Sequence, residues 1–268
     1  MTSTADRTQL FHALHRPGPL VLPNAWDVAS ALIVEAAGAK AVATTSAGVA
    51  WSLGAPDGDR LDRDLAIDLV GRIARAVGIP VTADVESGFG ADARQVGETV
   101  GAVSAAGASG VNIEDGRGGS VRDAREQADR IAAAREAAPG IYINARIDVF
   151  LRGIGDEQDR LPHTLDRART YLEAGASGIF VPGVTDLATV GELARGIDAP
   201  VNVLAGPGAP AVGELAAAGA ARVSVGTALA SAAYAAAKRA AEELLAKGTY
   251  DSTVDGLGYG ELNALFGA

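Results

Sequence analysis

The stretch Ala105-Ala106-Gly107-Ala108-Ser109-Gly110-Val111-Asn112-Ile113-Glu114-Asp115 leaves an alanine-rich, helix-prone segment through a glycine. It then enters a short apolar run that ends on two acids. Glycine suits the left-handed position just past a helix end, because it has no Cβ to clash there. The stretch therefore reads as helix, glycine stop, strand. The same phrase recurs at Ala37-Gly38-Ala39, Ala174-Gly175-Ala176 and Ala218-Gly219-Ala220, each followed within a few residues by an apolar run. A second junction alternates with it, at Gly78-Ile79-Pro80-Val81, Pro139-Gly140-Ile141-Tyr142 and Ala199-Pro200-Val201. Proline cannot continue a helix and suits the first position of a strand.

With the opening run Leu20-Val21-Leu22-Pro23, these junctions predict eight strands, at 20–24, 41–46, 81–86, 110–115, 141–148, 178–183, 201–206 and 222–226. Helical patterns fill most gaps. Leu61, Leu65, Leu69 and Ile73 mark one apolar face between Leu61 and Val77, and 165–173 and 187–195 behave likewise. Strands alternating with helices imply parallel pairing. Eight such units in about 250 residues match an α/β fold of the closed (β/α)₈ TIM-barrel type. An open doubly wound sheet is the alternative, but no Gly-x-Gly-x-x-Gly follows the first strand. Residues 227–246 form a long alanine-rich helix ending near Gly248, followed by a tail with Leu257, Tyr259, Leu262, Leu265 and Phe266. The reading is one barrel domain over 1–268, with its core at 20–246 and a helical tail at 247–268. That apolar tail must bury itself on its own barrel or on a neighbouring subunit, so a homodimer or homotetramer is expected.

Composition narrows the function. The 268 residues include no cysteine, which excludes disulfides, zinc-thiolate sites and a cysteine nucleophile. A net charge of −10 without a Lys/Arg-rich run makes nucleic acid and anionic membranes poor partners. Residues 1–18 lack a basic-then-apolar pattern, and no uncharged stretch reaches the ~18 residues of a membrane span. A soluble, cytoplasmic protein is the expectation.

In such barrels the chemistry sits at the C-terminal ends of the strands. The polar residues there are Thr44-Thr45-Ser46-Ala47-Gly48, Asp84-Val85-Glu86-Ser87-Gly88, Asn112-Ile113-Glu114-Asp115, Asn144-Ala145-Arg146-Ile147-Asp148, and Asn202 ahead of Ala205-Gly206-Pro207-Gly208. Alternation along a strand puts Asp84 with Glu86, Asn112 with Glu114, and Asn144 with Arg146. If these faces point inward, three carboxylates and one guanidinium converge. Such a group needs a divalent cation or a shared proton. Oxygen ligands without cysteine select Mg²⁺ or Mn²⁺. Arg146 suits capture of a carboxylate or phosphate, and Ser46, Ala47 and Gly48 are small enough for backbone amides to approach a ligand oxygen. A cation on one side and a guanidinium on the other fit a 2-oxo acid. Asn202 joins the substrate-binding candidates. Asp115 and Ser87 read more simply as turn or helix caps, and Trp26 and Trp51 as packing or pocket wall. His12, His15 and His163 read as solvated, and Asp123 to Arg135 as the wet face of a helix. Gly206-Pro207-Gly208 and Gly226-Thr227 occupy the usual phosphate corner of these barrels, a weak signal alone.

Together these residues resemble the isocitrate lyase/phosphoenolpyruvate mutase superfamily. The matching stretches are Leu22 to Asp27, Thr45 to Ala50, Leu53 to Asp57, Ala83 to Gly90, Gly110 to Asp115 and Asn144 to Asp148, in the family's order. The resemblance implies a Mg²⁺-dependent barrel that makes or breaks C–C or P–C bonds in 2-oxo or 2-hydroxy acids through an enolate-like intermediate. It implies that Asp84 and Glu86 hold the metal with Glu114 in the same cluster, and that Asp57 lies near metal and substrate. It gives Ser46, Ala47 and Gly48 to substrate oxygens and Arg146 to a substrate carboxylate. It also implies a last barrel helix exchanged between subunits.

The departures point to the reaction. The lyases carry a Lys-Lys/Arg-Cys-Gly-His loop after the fourth strand, where this chain has Gly116-Arg117-Gly118-Gly119-Ser120-Val121-Arg122-Asp123. Without that cysteine, isocitrate and methylisocitrate cleavage are not expected, and the mutase's loop Lys and Asn are missing too. Decarboxylation of an oxaloacetate-like acid needs little beyond the metal and is the favoured reading. Phosphonopyruvate hydrolysis or the mutase reaction is the alternative, and a non-catalytic 2-oxo acid binder a third.

Overall fold

A computed structural model describes residues 3–267. The strands are β1 (Leu20–Leu22), β2 (Asn24–Ala25), β3 (Val42–Thr44), β4 (Val81–Asp84), β5 (Gly110–Glu114), β6 (Gly116–Arg117), β7 (Ser120–Val121), β8 (Tyr142–Arg146), β9 (Gly178–Val181), β10 (Val201–Leu204) and β11 (Arg222–Ser224). Nine of them form one sheet in the order β1-β11-β10-β9-β8-β5-β4-β3-β2, with every pairing parallel. The two edge strands are halves of one stave, interrupted at Pro23, which has no N–H to give a ladder. Its carbonyl still accepts from Ala43 at 3.1 Å. The sheet therefore closes through the chain itself, giving the eight staves expected from the sequence.

The helices are α1 (Thr4–Ala13), α2 (Val28–Ala36), α3 (Ser46–Ser52), α4 (Arg63–Ala76), α5 (Ala93–Ala105), α6 (Ala124–Ala137), α7 (Glu157–Glu173), α8 (Leu187–Gly196), α9 (Val212–Ala217), α10 (Ala228–Lys247) and α11 (Tyr259–Leu265). Aspartates start five of them: Asp27, Asp62, Asp92, Asp123 and Asp186 accept first-turn amides of α2, α4, α5, α6 and α8. The glycines of the recurring phrase stop them, with φ of +94° at Gly38, +108° at Gly107, +105° at Gly175 and +108° at Gly219. On α4 the buried face is Ala66, Leu69, Val70, Ile73 and Ala74, while Leu65 is 50% exposed. A strict four-residue spacing drifts by about 40° per step on a 3.6-residue helix, so it carries Leu65 off the core stripe.

The main core lies between strands and helices. The floor of the barrel is plugged by α1, whose fully buried Phe11 packs on Leu20, Leu22, Ala41, Ala43 and Tyr142. Inside, the filling is polar: Asn144 donates to Asn112 at 2.9 Å and to Asn202 at 3.1 Å, and Arg222 donates to Asn112 at 3.2 Å. The long helix α10 is largely unburied. Of its twenty residues only Ala230 is buried, and no helix in the described residues is long and apolar enough to cross a membrane.

Candidate active site

The mouth is built by the last residues of three neighbouring staves. Asp84 ends β4, Glu114 ends β5 and Arg146 ends β8, with Glu114 and Arg146 in register across the β5–β8 pair. Glu86 arrives by another route than strand alternation. β4 stops at Asp84, and Glu86 sits in the following turn at φ +51°, its amide donating to Asp84 Oδ1 at 3.1 Å. Thr44 Oγ1 accepts from the Asp84 amide at 2.9 Å, fixing the end of the strand. Ser46, Asp84 and Glu86 line one small cavity. Ser46 opens α3, whose N-cap Thr45 makes no side-chain cap, and Gly48 is required by packing: a Cβ there would meet Trp26 Cβ and Thr45 Cγ2 at 2.8 Å. Asp57 lies on the exposed loop above, near enough that its charge acts on Asp84 and Glu86.

Two ion networks share this mouth. Arg146 Nη1 meets Glu114 at 2.7 Å and its Nε meets Asp148 at 2.7 Å. Arg152 joins the same acids, at 2.9 Å to Asp148 and 3.7 Å to Glu114. Two guanidiniums and the carboxyl groups of Glu114 and Asp148 thus form a closed ring. Beneath it Asp115 accepts from the Asp148 amide at 2.9 Å, from Arg167 at 3.0 Å and from Tyr171 at 2.8 Å. Asp115 is therefore a buried clamp rather than a cap. Ser87 is not a cap either; its hydroxyl donates to Asp59 at 2.6 Å.

Asp84 and Glu86 are left outside the ring, with no cationic side chain paired to them among the described residues. Burial pushes the Asp84 carboxyl up, with Arg146 opposing. Burial likewise raises Glu86 to about 7, against the Asp59 amide that stabilises its charge. It raises Glu114 to about 8, with Arg146 opposing and Asp148 and Asp84 adding to the rise. Among the described residues no three His, Asp or Glu side chains converge as a finished metal cage. Two adjacent, uncompensated carboxylates still fit a hard divalent ion, which takes oxygen donors and keeps several waters. Asp84 and Glu86, with Glu114 beside them, are the residues that could hold it.

Several readings of single residues change. Asn202 lies inside the barrel rather than at the rim, its amide donating to Val203 O at 2.8 Å and Ser224 Oγ at 3.1 Å. The phosphate corner is taken: Asn24 Oδ1 accepts the Val225 and Gly226 amides at 3.0 and 2.9 Å. His15 is buried, and His163 accepts from Arg167 at 2.9 Å. Arg130, on the stretch read as a wet face, is buried and donates to Gly90 O and Ala91 O. Trp26 and Trp51 flank Tyr234 of α10. Residues 116–121 form a hairpin turned by Gly118 and Gly119 at φ +54° and +86°. Arg152 and Asp59 carry no strand-end signal in the sequence: Arg152 reaches the site through a single turn from Asp148, and Asp59 by a loop far from the strand ends.

Known proteins resemble this chain in sequence and in fold. The family model described as phosphoenolpyruvate phosphomutase matches residues 11–245. An uncharacterized protein of Mycobacterium tuberculosis is 40% identical over 233 residues, 86% of this chain and 87% of that protein. The 2-methylisocitrate lyase of Escherichia coli K12 is 31% identical over 201 residues, 70% of this chain and 66% of that enzyme. Among solved structures, a candidate lyase/mutase from Burkholderia cenocepacia J2315 superposes with a TM-score of 0.91 at 40% identity, covering 99% of this chain and 97% of that one. A phosphonopyruvate hydrolase solved with oxalate and Mg²⁺ shares the fold, at TM-score 0.85 and 24% identity over 97% of this chain and 95% of that one. The chain belongs to the phosphoenolpyruvate phosphomutase family, within the isocitrate lyase/phosphoenolpyruvate mutase superfamily of lyases and mutases.

Proposed function

We propose that this chain is a Mg²⁺- or Mn²⁺-dependent lyase acting on a small 2-oxo acid, with decarboxylation of an oxaloacetate-type substrate as its reaction. The observation that carries this reading is the adjacent Asp84–Glu86 pair, Glu86 buried and Asp84 half-buried, without a paired cationic side chain and beside the guanidinium of Arg146. Asp84 and Glu86, with Glu114 beside them and Asp57 adding charge nearby, would hold a divalent ion, which when bound would supply a Lewis acid for the keto oxygen. Arg146 is pinned by Asp148 and Glu114 and keeps guanidinium N–H groups for a substrate carboxylate. The first-turn amides at Ser46, Ala47 and Gly48, which the Thr45 side chain does not cap, would meet a second substrate oxygen. As the C–C bond to the leaving carboxyl breaks, its electron pair moves toward the keto group. Glu114, raised by burial to about 8, would hold the proton that replaces CO₂. The hairpin at 116–121 has no Cys, Lys or His for lyase-loop proton transfer, which favours this simpler reaction.

Purified protein with Mg²⁺ and oxaloacetate should release CO₂, and Asp84→Ala should abolish the release. No turnover across a panel of 2-oxo acids rejects the assignment. Phosphorus NMR of phosphonopyruvate should show an unchanged signal; a new one transfers the reading to P–C chemistry. Thermal stabilisation by 2-oxo acids without turnover would make the chain a binder.

The same reading includes a homodimer or homotetramer in which α10 is exchanged. Val21, on a barrel stave, is 49% exposed, and a groove of about 660 Å³ runs beside it between Ile33, Val34 and Leu229. The apolar side chains of α10, among them Leu229, Tyr234, Leu244 and Leu245, are 40%, 40%, 54% and 87% exposed. Helix stability in proteins comes mainly from packing an apolar face, and a second copy would cover the apolar side chains that one copy leaves exposed.

A further inference from the structure

Among the described residues three that are not glycine have left-handed backbone: Asp59 at φ +55°, Glu86 at φ +51° and Phe89 at φ +47°. Left-handed backbone is disfavoured for residues with a Cβ and persists where surrounding contacts impose it, often at functional sites. Here two of the three touch each other. The Asp59 main-chain amide donates to Glu86 Oε2, and the Ser87 hydroxyl donates to Asp59 Oδ2 at 2.6 Å. The loop above the mouth and the turn after β4 are thus joined by two reciprocal hydrogen bonds. Glu86 and Ser87 are each 4% exposed, while Asp59 lies at the surface. A surface residue therefore supplies the N–H that fixes one oxygen of the buried Glu86 carboxylate.

We propose that Asp59 is a positioning residue for the divalent cation: anchored by Ser87, it holds the loop at 55–60 against Glu86 so that this carboxylate stays turned toward Asp84. The inference rests on the metal reading given under Proposed function. An outer partner that orients a ligating carboxylate acts on metal affinity without touching the ion. A simple turn cap has the opposite signature: its loss lowers stability and leaves cation affinity alone.

The test titrates Mn²⁺ into the full chain and reads the free ion by electron paramagnetic resonance. Wild type is measured first, and failure to bind there overturns the metal reading and this inference with it. Given binding, Ser87→Ala and Asp59→Gly should each weaken Mn²⁺ by about tenfold or more. The glycine keeps the amide and tolerates the positive φ, so it removes only the anchored carboxylate. Asp59→Asn should restore affinity to within about threefold of wild type, because Asn accepts from Ser87 and also tolerates left-handed backbone. Metal-free melting temperatures should stay within about 4 °C. Wild-type affinity in Ser87→Ala and Asp59→Gly, with or without lowered melting, overturns the proposal. So does an Asn variant as weak as the Gly variant.

Discussion

His15 makes a distinct contribution to the pH dependence of stability. It is 2% exposed, stacks on Tyr142 with ring centroids 4.1 Å apart, and donates Nδ1–H to Phe11 O at 2.8 Å. Burial, reinforced by the charge of Arg222, pushes its pKa down to about 4. The unfolded chain protonates this imidazole near pH 6.5, and the folded chain does so only near 4. Stability from His15 is therefore full above pH 6.5 and falls as pH drops from 6.5 to 4, by about 3 kcal/mol. Glu86 and Glu114, whose pKa values burial raises, act in the opposite sense across the same range, in wild type and in His15→Phe alike. Paired urea melts therefore isolate the His15 contribution: His15→Phe, which keeps the stack, should gain about 3 kcal/mol relative to wild type between pH 6.5 and 4. A second residue-scale expectation concerns Asp115, fully buried between Arg167, Tyr171 and the Asp148 amide. Asp115→Ala strands the Arg167 charge and should cost about 3–5 kcal/mol in denaturant melts. It should also loosen Asp148, and through it Arg146.

At the scale of elements, the tightest helix pairing depends on a glycine. A Cβ on Gly97 of α5 would lie 2.9 Å from the Ala133 carbonyl oxygen of α6. Gly97→Ala raises intrinsic helix propensity by about 1 kcal/mol. The backbone clash nevertheless decides the sign, and a net destabilisation of about 1–3 kcal/mol is expected in thermal or urea unfolding. The hairpin β6–β7 depends on close approach in the same way. A Cβ on Gly116 would sit 2.4 Å from both Arg152 Nη2 and Asp148 Oδ2. Gly116→Ala should therefore lift the hairpin off the ion ring and reduce 2-oxo acid turnover by about tenfold or more while the fold persists. Unchanged turnover would show that the ring does not set Arg146. Arg122 fixes the hairpin base, its amide donating to Asp115 O at 2.8 Å and its carbonyl accepting from Arg167 at 2.7 Å.

For the whole molecule, the exposed α10 and the uncovered stave at Val21 make the subunit count the decisive measurement. Light scattering should give a dimer or tetramer, and Val21→Asp should shift it toward monomer, since a charge in the groove opposes burial of α10. A monomeric wild type ends the exchange reading. All eight staves and the glycine stops were legible in the sequence, because helix ends and strand starts are local backbone events written in Gly, Pro and apolar runs. So were Asp84, Glu114 and Arg146, which stand where apolar runs stop. What the order of residues leaves open is direction and partner. Arg152 and Asp59 reach the site through a single turn and a left-handed loop, Asn202 turns inward instead of to the rim, and Asn24 fills the corner that glycines seemed to reserve. Period and punctuation determine which elements form. Only the closed barrel sets which side chains meet, because ion pairs and orphaned carboxylates are fixed by distances between staves remote in the chain.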